Sequence, residues 1–443
     1  MNWTKLTTVL LLGATVLGCS LETEPAQEID SGQALSSDAN VKATLVGAYN
    51  ALAVNDLYGG NIQRDADLLG GVGELLFVGT FNGPREISNQ AISVGNNDAQ
   101  ERWIEGYETV NIANNVLSAL DVVEEADRDR IEGEARFIRG LLHFDLVRFF
   151  GQPVSAGESG LGIPIITTPT SFISAESNVS RATVGAVYDQ VIDDLTQAAS
   201  LLPADNGFFA SRGAANAILA RAHLQRGDFA AARDAANAVI ASGEYELTDT
   251  YADAFMNDEN SSEDVFAIQV SNQDGVNNLN LFYSIPSFGG RDGDIEVLPR
   301  HLERYEEGDA RAALFFDNAG STLTGKFNSQ FANVSVVRLA ELYLIRAEAN
   351  ERLGTEVGAT PAEDIALLRS RAGLETDEDD VDLDFILGER RKELAFEGFL
   401  IHDIKRLGET VGSLPATADE LVFPIPAREI VANPNLVQNP GYN

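Results

Sequence analysis

A pair of alanine-rich helices joined by a tight turn is the feature that most constrains the fold of this 443-residue chain. Helical spacing runs over residues 214–225 and 229–242, with Gly227 and Asp228 between them and Gly243 as a typical C-terminal cap. Small residues on the second helix form one stripe: Ala231, Ala235, Ala238 and Val239. Small residues at helix crossings and a unit of about 34 residues predict a tetratricopeptide-like hairpin, which buries its apolar face only by stacking on neighbours.

The same helical pattern recurs along the chain. A second hairpin is predicted from residues 336–353 and 361–372, and a further helix from residues 385–399. Apolar residues at helical spacing also cover residues 41–54, 100–120, 131–150 and 184–202. The predicted fold class is therefore mostly α: a tetratricopeptide-like solenoid of helical hairpins with long loop-rich inserts and a few short strands.

Two long stretches do not follow this pattern. Residues 55–97 are rich in Gly and Asn, and residues 247–334 mix Gly, Asn and Asp with short β-prone pieces such as residues 265–270. Long irregular segments are uncommon in a compact helical protein and are usually functional. We therefore expect a helical domain over residues 41–443 whose two inserts carry the function.

The charge of the chain excludes some classes of protein. With 68 acidic residues against 31 Lys and Arg, the net charge is −37, which disfavours nucleic-acid binding. Only 5 of the basic residues are Lys, a balance typical of proteins that work in high salt, where screening relieves self-repulsion. A cationic substrate steered by charge is the alternative, but the acids are spread along the whole chain. The single cysteine, Cys19, excludes an internal disulfide and thiolate-rich zinc sites.

The N-terminus reads as a lipoprotein export signal. Lys5 precedes a short apolar core, and residues 16–19 read Val-Leu-Gly-Cys. A small residue before a lone cysteine at this point predicts a signal peptide over residues 1–18 and lipidation of Cys19. An ordinary secretory signal with an incidental cysteine is the alternative. Residues 19–40 are then the lipidated terminus and a polar tether, and multiple acyl chains would hold the protein stably on a membrane.

From Cys19 to the C-terminus the chain resembles the SusD/RagB family of nutrient-binding outer-membrane lipoproteins. The stretches that carry the resemblance are the lipobox, residues 47–52 (GAYNAL), Trp103 with Tyr107, Asn111 and Asn114, residues 133–151 (GEARFIRGLLHFDLVRFFG), the hairpin at 220–247, residues 338–349 (RLAELYLIRAEA), 389–398 (ERRKELAFEG), 424–426 (PIP) and 438–442 (QNPGY). After residue 398 the family usually shows an Arg and an aromatic before Asp-Leu, where this chain has residues 399–404 (FLIHDI). This departure affects a local contact and not the fold.

The resemblance implies a helical binding protein without catalytic activity. Members sit on a SusC-like TonB-dependent transporter in the outer membrane and act as a lid that captures an oligosaccharide, or sometimes a peptide, at the cell surface. It implies no cofactor, no metal and no catalytic residue. A tetratricopeptide-type adaptor without a small ligand and a glycan-cleaving enzyme are the competing functions.

Taken without the family resemblance, the sequence motifs give little support for a catalytic site. Glu389, Glu393 and Glu397 are spaced as a carboxylate row, which we interpret as ion pairing with arginines such as Arg338 and Arg346. Residues 320–327 have phosphate-loop spacing but lack the Ser or Thr after Lys326, so a loop entering a short strand is favoured. Trp103 could stack on a sugar, but its helical spacing with Tyr107 favours a core position.

Ligand binding is predicted in the two inserts, because sugars need flat apolar faces together with planar polar side chains. The family places binding loops in the same two regions without aligning individual residues. The alternative is that the aromatic residues form small cores that hold the loops. The candidates are Phe77, Phe81, Asn82 and Arg85 in the first insert, and Asn277, Asn278, Asn280, Phe282, Tyr283, Phe288, Arg291 and Asp292 in the second.

Overall fold

The computed structural model describes residues 35–172, 174–273 and 275–442. In this part of the chain the helices are α1 (Asp38–Leu52), α2 (Asn61–Gly70), α3 (Asn82–Ser88), α4 (Asn97–Ser118), α5 (Glu125–Phe150), α6 (Val184–Leu201), α7 (Arg212–Arg226), α8 (Phe229–Ser242), α9 (Asn278–Tyr283), α10 (Pro299–Leu302), α11 (Leu339–Leu353), α12 (Pro361–Arg371), α13 (Leu383–Glu393), α14 (Leu400–Leu407) and α15 (Ala427–Ala432). The predicted signal peptide, Cys19 and most of the tether lie outside the described residues.

Local sequence signals set where these helices begin and end. The side chains of Ser37, Thr183 and Ser211 accept hydrogen bonds from backbone N–H groups in the first turns of α1, α6 and α7. Gly227 and Gly243 end α7 and α8 in the left-handed conformation, with φ of 90° and 68°. The hairpin of α7 and α8 is therefore confirmed, with α8 beginning and ending at the predicted residues.

The long helices stack in chain order, each against the next. Helix α5 packs between α4 and α6, α6 packs on α7, and α8 lies between α7 and α11, which in turn packs on α12. Buried small residues let α7 approach its neighbours closely, and they are Ala214, Ala215, Ala217, Ala220 and Ala222. One continuous apolar core follows this stack, and a second cluster lies under α11, α12 and α13. The prediction of a mostly α, tetratricopeptide-like solenoid is confirmed.

Short antiparallel strand pairs join the inserts to the helical stack. In the described residues the strands are β1 (Leu75–Phe77), β2 (Asp264–Ile268), β3 (Ile295–Val297), β4 (Phe315–Asn318), β5 (Ser321–Thr324), β6 (Val334–Arg338), β7 (Thr410–Val411) and β8 (Leu414–Pro415). They pair as β1–β3, β2–β6, β4–β5 and β7–β8. Strand β5 precedes Lys326, so the phosphate-loop spacing there belongs to a hairpin and not to a phosphate site.

Two helix predictions were wrong at one end. The helix predicted from residue 336 begins at Leu339, because Val334–Arg338 pairs with β2 and places Val337 opposite Phe266. The helix predicted over residues 385–399 ends at Glu393. Beyond it Phe396 and Gly398 adopt positive φ angles of 67° and 86°, which reverse the chain and are incompatible with a continuing helix.

The carboxylate row is a buried ion-pair network, as predicted for Arg338. Glu393 and Glu397 accept hydrogen bonds from Arg338 at 2.8 and 2.7 Å, and Glu389 pairs with Arg311 at 2.9 Å. Burial alone would raise the pKa of Glu393, but Arg371, Arg338 and Arg311 outweigh burial and hold it at about 2. The prediction for Arg346 was wrong, because its guanidinium pairs with Asp364 on the neighbouring helix at 2.5 Å.

Candidate ligand-binding surface

The two inserts meet on one side of the helical stack, through strands that lie more than two hundred residues apart in the chain. Strand β1 pairs with β3, with Leu75 opposite Val297 and Phe77 opposite Ile295. The Val78 amide donates to the carbonyl of Asp294 at 2.9 Å and extends this pairing toward the surface. Helix α9 is joined to the first insert as well, because the Asn278 amide donates to the Gly59 carbonyl at 2.8 Å. Both predicted clusters therefore belong to one surface.

Phe282 lies at the centre beneath this surface. Its ring is 6.5 Å from the ring of Phe77 and 5.8 Å from that of Phe81. The guanidinium of Arg64 lies 4.2 Å from the Phe282 ring centroid and pairs with Asp65 and Asp98. Phe77 and Phe282 are buried, so they fix the position of Phe81 instead of meeting solvent.

Phe81 and Arg291 form the exposed part, which we call the Phe81–Arg291 platform. The Phe81 side chain is 46% exposed, and the Arg291 guanidinium lies 4.4 Å from its ring centroid. Arg291 is held in place by hydrogen bonds to Asp294 at 2.9 Å and to Thr80 at 3.0 Å. A planar cation pinned against an aromatic ring gives a surface with both apolar contact area and hydrogen-bond donors.

Other predicted residues surround the platform at the surface. Asn82, Arg85 and Asp292 are exposed, and Arg85 donates to the Gly79 carbonyl and to the Asn82 side chain at 2.5 and 3.5 Å. Phe288 is also exposed, and its ring is 6.4 Å from that of Phe316. These side chains add carboxylate, amide and guanidinium groups to one side of the molecule.

Six of the predicted binding residues are instead used inside the protein. Besides Phe77 and Phe282 they are Asn277, Asn278, Asn280 and Tyr283, all buried. Asn277 caps α9 and donates to the carbonyls of residues 329, 330 and 332. Asn280 donates to the carbonyls of Phe288 and Phe327, and Tyr283 packs on Phe327 and Phe396. For these residues the alternative interpretation, small cores that hold the loops, describes their placement.

Sequence reasoning missed two exposed apolar residues. Leu76 on β1 and Val78 directly after it are 45% and 49% exposed, while Leu75 and Phe77 are buried. The signal was the alternation of inward and outward side chains expected of a strand. It was overlooked because β1 contains only three residues.

A groove of about 600 Å³ lies on another part of the molecule, beside α4 and α15. Trp103 lines it but is buried against Tyr107 and Phe150, with ring centroids 4.9 and 5.0 Å away, so the prediction of a core position is confirmed. The Tyr107 hydroxyl donates to the Pro164 carbonyl, and the Asn111 oxygen accepts from the Thr170 amide. These two polar groups of the groove are therefore already bonded within the protein.

The described residues contain neither a metal-binding cluster of His, Cys, Asp and Glu nor a helix long and apolar enough to cross a membrane. The helical stack and the two joined inserts define the class of protein as a helical-repeat scaffold with long loop-rich inserts that meet on one side.

Comparisons with known proteins identify the family. Residues 21–224 match a SusD-like family model described as starch-binding associating with outer membrane, and residues 314–420 match the SusD family model. The SusD-like protein P2 of Formosa agariphila is 26% identical, and the alignment covers 99% of each chain.

Solved structures agree with these matches. A SusD superfamily protein from Bacteroides vulgatus is 26% identical, with a TM-score of 0.82 over 92% of this chain and 99% of its own. A second one, from Bacteroides thetaiotaomicron, is also 26% identical, with a TM-score of 0.82 over 91% of this chain and 100% of its own. The chain belongs to the SusD/RagB family.

Proposed function

We propose that this protein is a lipid-anchored nutrient-binding protein that captures an oligosaccharide at the cell surface and delivers it to a SusC-like TonB-dependent transporter. The observation that carries the proposal is the convergence of the two inserts into the Phe81–Arg291 platform. The starch-binding description of the matching family model supports a glycan as the ligand. A peptide is the alternative ligand.

The chemistry of the platform suits a sugar. The exposed part of the Phe81 ring provides a flat apolar face for the C–H side of a pyranose. Arg291, Asn82 and Asp292 provide planar groups that pair with vicinal hydroxyls. A peptide would use the same polar groups with less stacking, so its binding would depend less on Phe81.

Anchoring rests on the N-terminal sequence. Lipidation of Cys19 would leave residues 20–37 as a tether before α1 begins at Asp38. A protein held in this way faces the cell exterior next to a transporter if export continues across the outer membrane. Copurification from native outer membranes in mild detergent tests this arrangement. Recovery together with a TonB-dependent barrel would support it, and recovery of the protein alone would contradict it.

A binding role is favoured over a catalytic one by the state of the carboxylate row. Glu389 and Glu393 are buried, the Glu397 side chain is 10% exposed, and all three are ion-paired with arginines, so they are unavailable as an acid and a nucleophile for glycoside cleavage. Product release from a glycan panel would contradict this interpretation.

Binding is tested with the soluble form that starts after Cys19. An array of maltooligosaccharides, other glucans and peptides identifies a ligand, and titration calorimetry then compares variants. Phe81→Ala should weaken glycan binding about 3- to 10-fold, as expected for loss of about 0.7–1.4 kcal/mol of aromatic contact. Phe208→Ala, which removes an equally large exposed ring outside the platform, is the matched control and should change nothing.

Three outcomes separate the candidate functions. A glycan whose affinity falls in Phe81→Ala but not in Phe208→Ala supports the proposal. Binding of peptides alone, without dependence on Phe81, would indicate the peptide function. If no glycan or peptide binds or raises the melting temperature, a protein–protein adaptor becomes the better description.

A further inference from the structure

A small, partly open cavity lies outside the platform, beneath the turn that follows α5. Its volume is about 20 Å³, enough for one particle of the size of a water molecule. The polar side chains that line it are Arg148, Gln152, His402, Lys405 and Arg406. We call it the Lys405 cavity.

Three side-chain nitrogen atoms of residues that line this cavity are buried without a hydrogen-bond partner among the described residues. They are Nε of Arg148, Nε2 of Gln152 and Nε2 of His402. Arg148 and His402 are themselves more than nine-tenths buried. A buried polar nitrogen without a partner is destabilising, so several of them around one cavity indicate a group that occupies it.

One basic side chain at the cavity also has no carboxylate partner among the described residues. Lys405 is buried, and its Nζ donates to the Arg148 carbonyl at 3.3 Å, but it makes no ion pair within the described part of the chain. The neighbouring cations do have carboxylate partners: Arg148 pairs with Asp145, and Arg406 pairs with Asp403 and Glu348. Lys405 is thus the cation at this cavity whose charge is left unbalanced.

The electrostatic surroundings of His402 point in the same direction. Burial lowers its pKa well below the ordinary value, and the cations Arg148, Lys405, Arg221 and Arg102 lower it further. Burial, with Arg148 nearby, also lowers the pKa of Lys405 to about 7. An anion in the cavity would oppose both effects and favour the charged form of Lys405.

A water molecule would satisfy this cavity poorly. Water has two lone pairs and two protons, and its protons need acceptors, whereas the unpartnered side-chain atoms here are donors when His402 carries its proton on Nε2. Water also leaves the charge of Lys405 unbalanced, and a buried unpaired ammonium is unfavourable. A monovalent anion accepts several hydrogen bonds, donates none and balances the charge.

We propose that the Lys405 cavity is a site for one small monovalent anion of halide size, held by Arg148, Gln152, His402 and Lys405. The anion is part of the folded structure, where it joins α5 to α14 through the side chains of both helices. The proposal is independent of the ligand that the platform binds.

The direct test is diffraction from crystals of the full chain grown in sodium bromide, because bromide can be located by its anomalous scattering. The expected result is an anomalous peak in the cavity within hydrogen-bonding distance of the three donor atoms. A cavity with water density and no anomalous peak would overturn the proposal.

The second test is the melting temperature of the full chain in detergent at pH 6 and constant sodium. Replacing gluconate by bromide keeps ionic screening constant, and the different general effects of the two anions on stability are measured in Lys405→Met and subtracted. Binding at one site predicts a rise of about 2 °C for each tenfold increase in bromide above the dissociation constant. Equal melting temperatures in the two salts after this subtraction would overturn the proposal.

Two variants assign the effect to this site. Lys405→Met should abolish the dependence on bromide, whereas Lys42→Met, which removes the same charge from a partly exposed ion pair, should keep it. Dependence that persists in Lys405→Met would show that bromide acts elsewhere and would refute the assignment. If Lys405→Met does not fold, the anomalous peak in the unmodified chain decides the question.

Discussion

Replacing Arg338 by methionine should lower the stability of the fold strongly, because one buried guanidinium serves three buried carboxylates. Arg338 is 1% exposed and donates to Glu397 at 2.7 and 2.9 Å, to Glu393 at 2.8 Å and to Glu263 at 3.1 Å. A further bond reaches the Glu393 carbonyl at 2.6 Å. The change removes all five hydrogen bonds at similar side-chain volume.

The size of the expected loss of stability depends on which cations still pair with each carboxylate in the variant. Glu397 keeps Lys326 at 2.7 Å, and Glu393 keeps Arg371 at 2.5 Å, so none is left without a cation. The cost should therefore be that of breaking one buried pair, about 3–5 kcal/mol, and not a multiple of it. For a protein of this size, this corresponds to a fall in melting temperature of about 3–6 °C.

Differential scanning calorimetry of Arg338→Met against Arg428→Met measures this effect. Arg428 pairs with Glu429 at the surface with its side chain 61% exposed, and its loss should change the free energy of unfolding by less than about 0.5 kcal/mol. If Arg338→Met melts within 1 °C of the unmodified protein, the network does not stabilise the fold as argued.

Acidification provides a second check with a defined sign. Glu393 has its pKa lowered to about 2, so in the unmodified protein its contribution is fully present above pH 4–5 and is lost as the pH falls toward 2. In Arg338→Met, burial is opposed by fewer cations, so the pKa values of Glu393 and Glu397 rise. These groups then take up protons at higher pH, and the deficit of the variant should shrink between pH 7 and pH 5. A deficit that stays constant would contradict the electrostatic explanation.

Three further measurements test other parts of the structure. Gly398→Ala should cost about 2–3 kcal/mol, because φ is 86° and an added Cβ would lie 2.7 Å from the Cα of Gln63. Gly243→Ala, with φ of 68° and no atom within 4 Å of the added Cβ, should cost only about 1 kcal/mol. Equal losses of stability in thermal melts of the two variants would refute the steric argument. Added sodium gluconate should raise the melting temperature because it screens the charge of −37, and a steady fall from low to molar salt would contradict this. A double variant of Phe81→Ala and Arg291→Gln should lose less glycan affinity than the sum of the two single losses, since the two side chains contact each other; strict additivity in calorimetry would argue against a shared platform.

The helical stack could be predicted because its signals are local. Small and apolar residues at helical spacing, a turn at Gly227 and a cap at Gly243 all lie within one hairpin. The structure has α8 where these signals predict it. The prediction of a helix through residue 399 was wrong because the contact that decides the structure there is distant in sequence. Glu397 turns back to Arg338, 59 residues earlier in the chain, and periodicity within the segment contains no information about that partner.

For the proposed binding surface, the sequence predicted which parts of the chain form it, but not which of their side chains are exposed. Composition indicated that the inserts are irregular and rich in aromatic and amide side chains, and the structure places both on one side. Whether an individual side chain faces solvent depends on contacts across the chain. Asn280 is buried because carbonyls at residues 288 and 327 surround it, and Phe81 is exposed because Phe282 fills the space beneath it. Neither partner can be identified from spacing.

In the pairing of β1 with β3, different side chains hold the fold together and face the solvent. Its inward residues, with Phe282 and Arg64 behind them, join distant parts of the chain, and its outward residues Leu76 and Val78 contact little of the protein. Substitutions on the outer side can therefore accumulate with little loss of stability. On the proposed function, such substitutions would change which polysaccharide is bound, while the foundation of the surface stays the same.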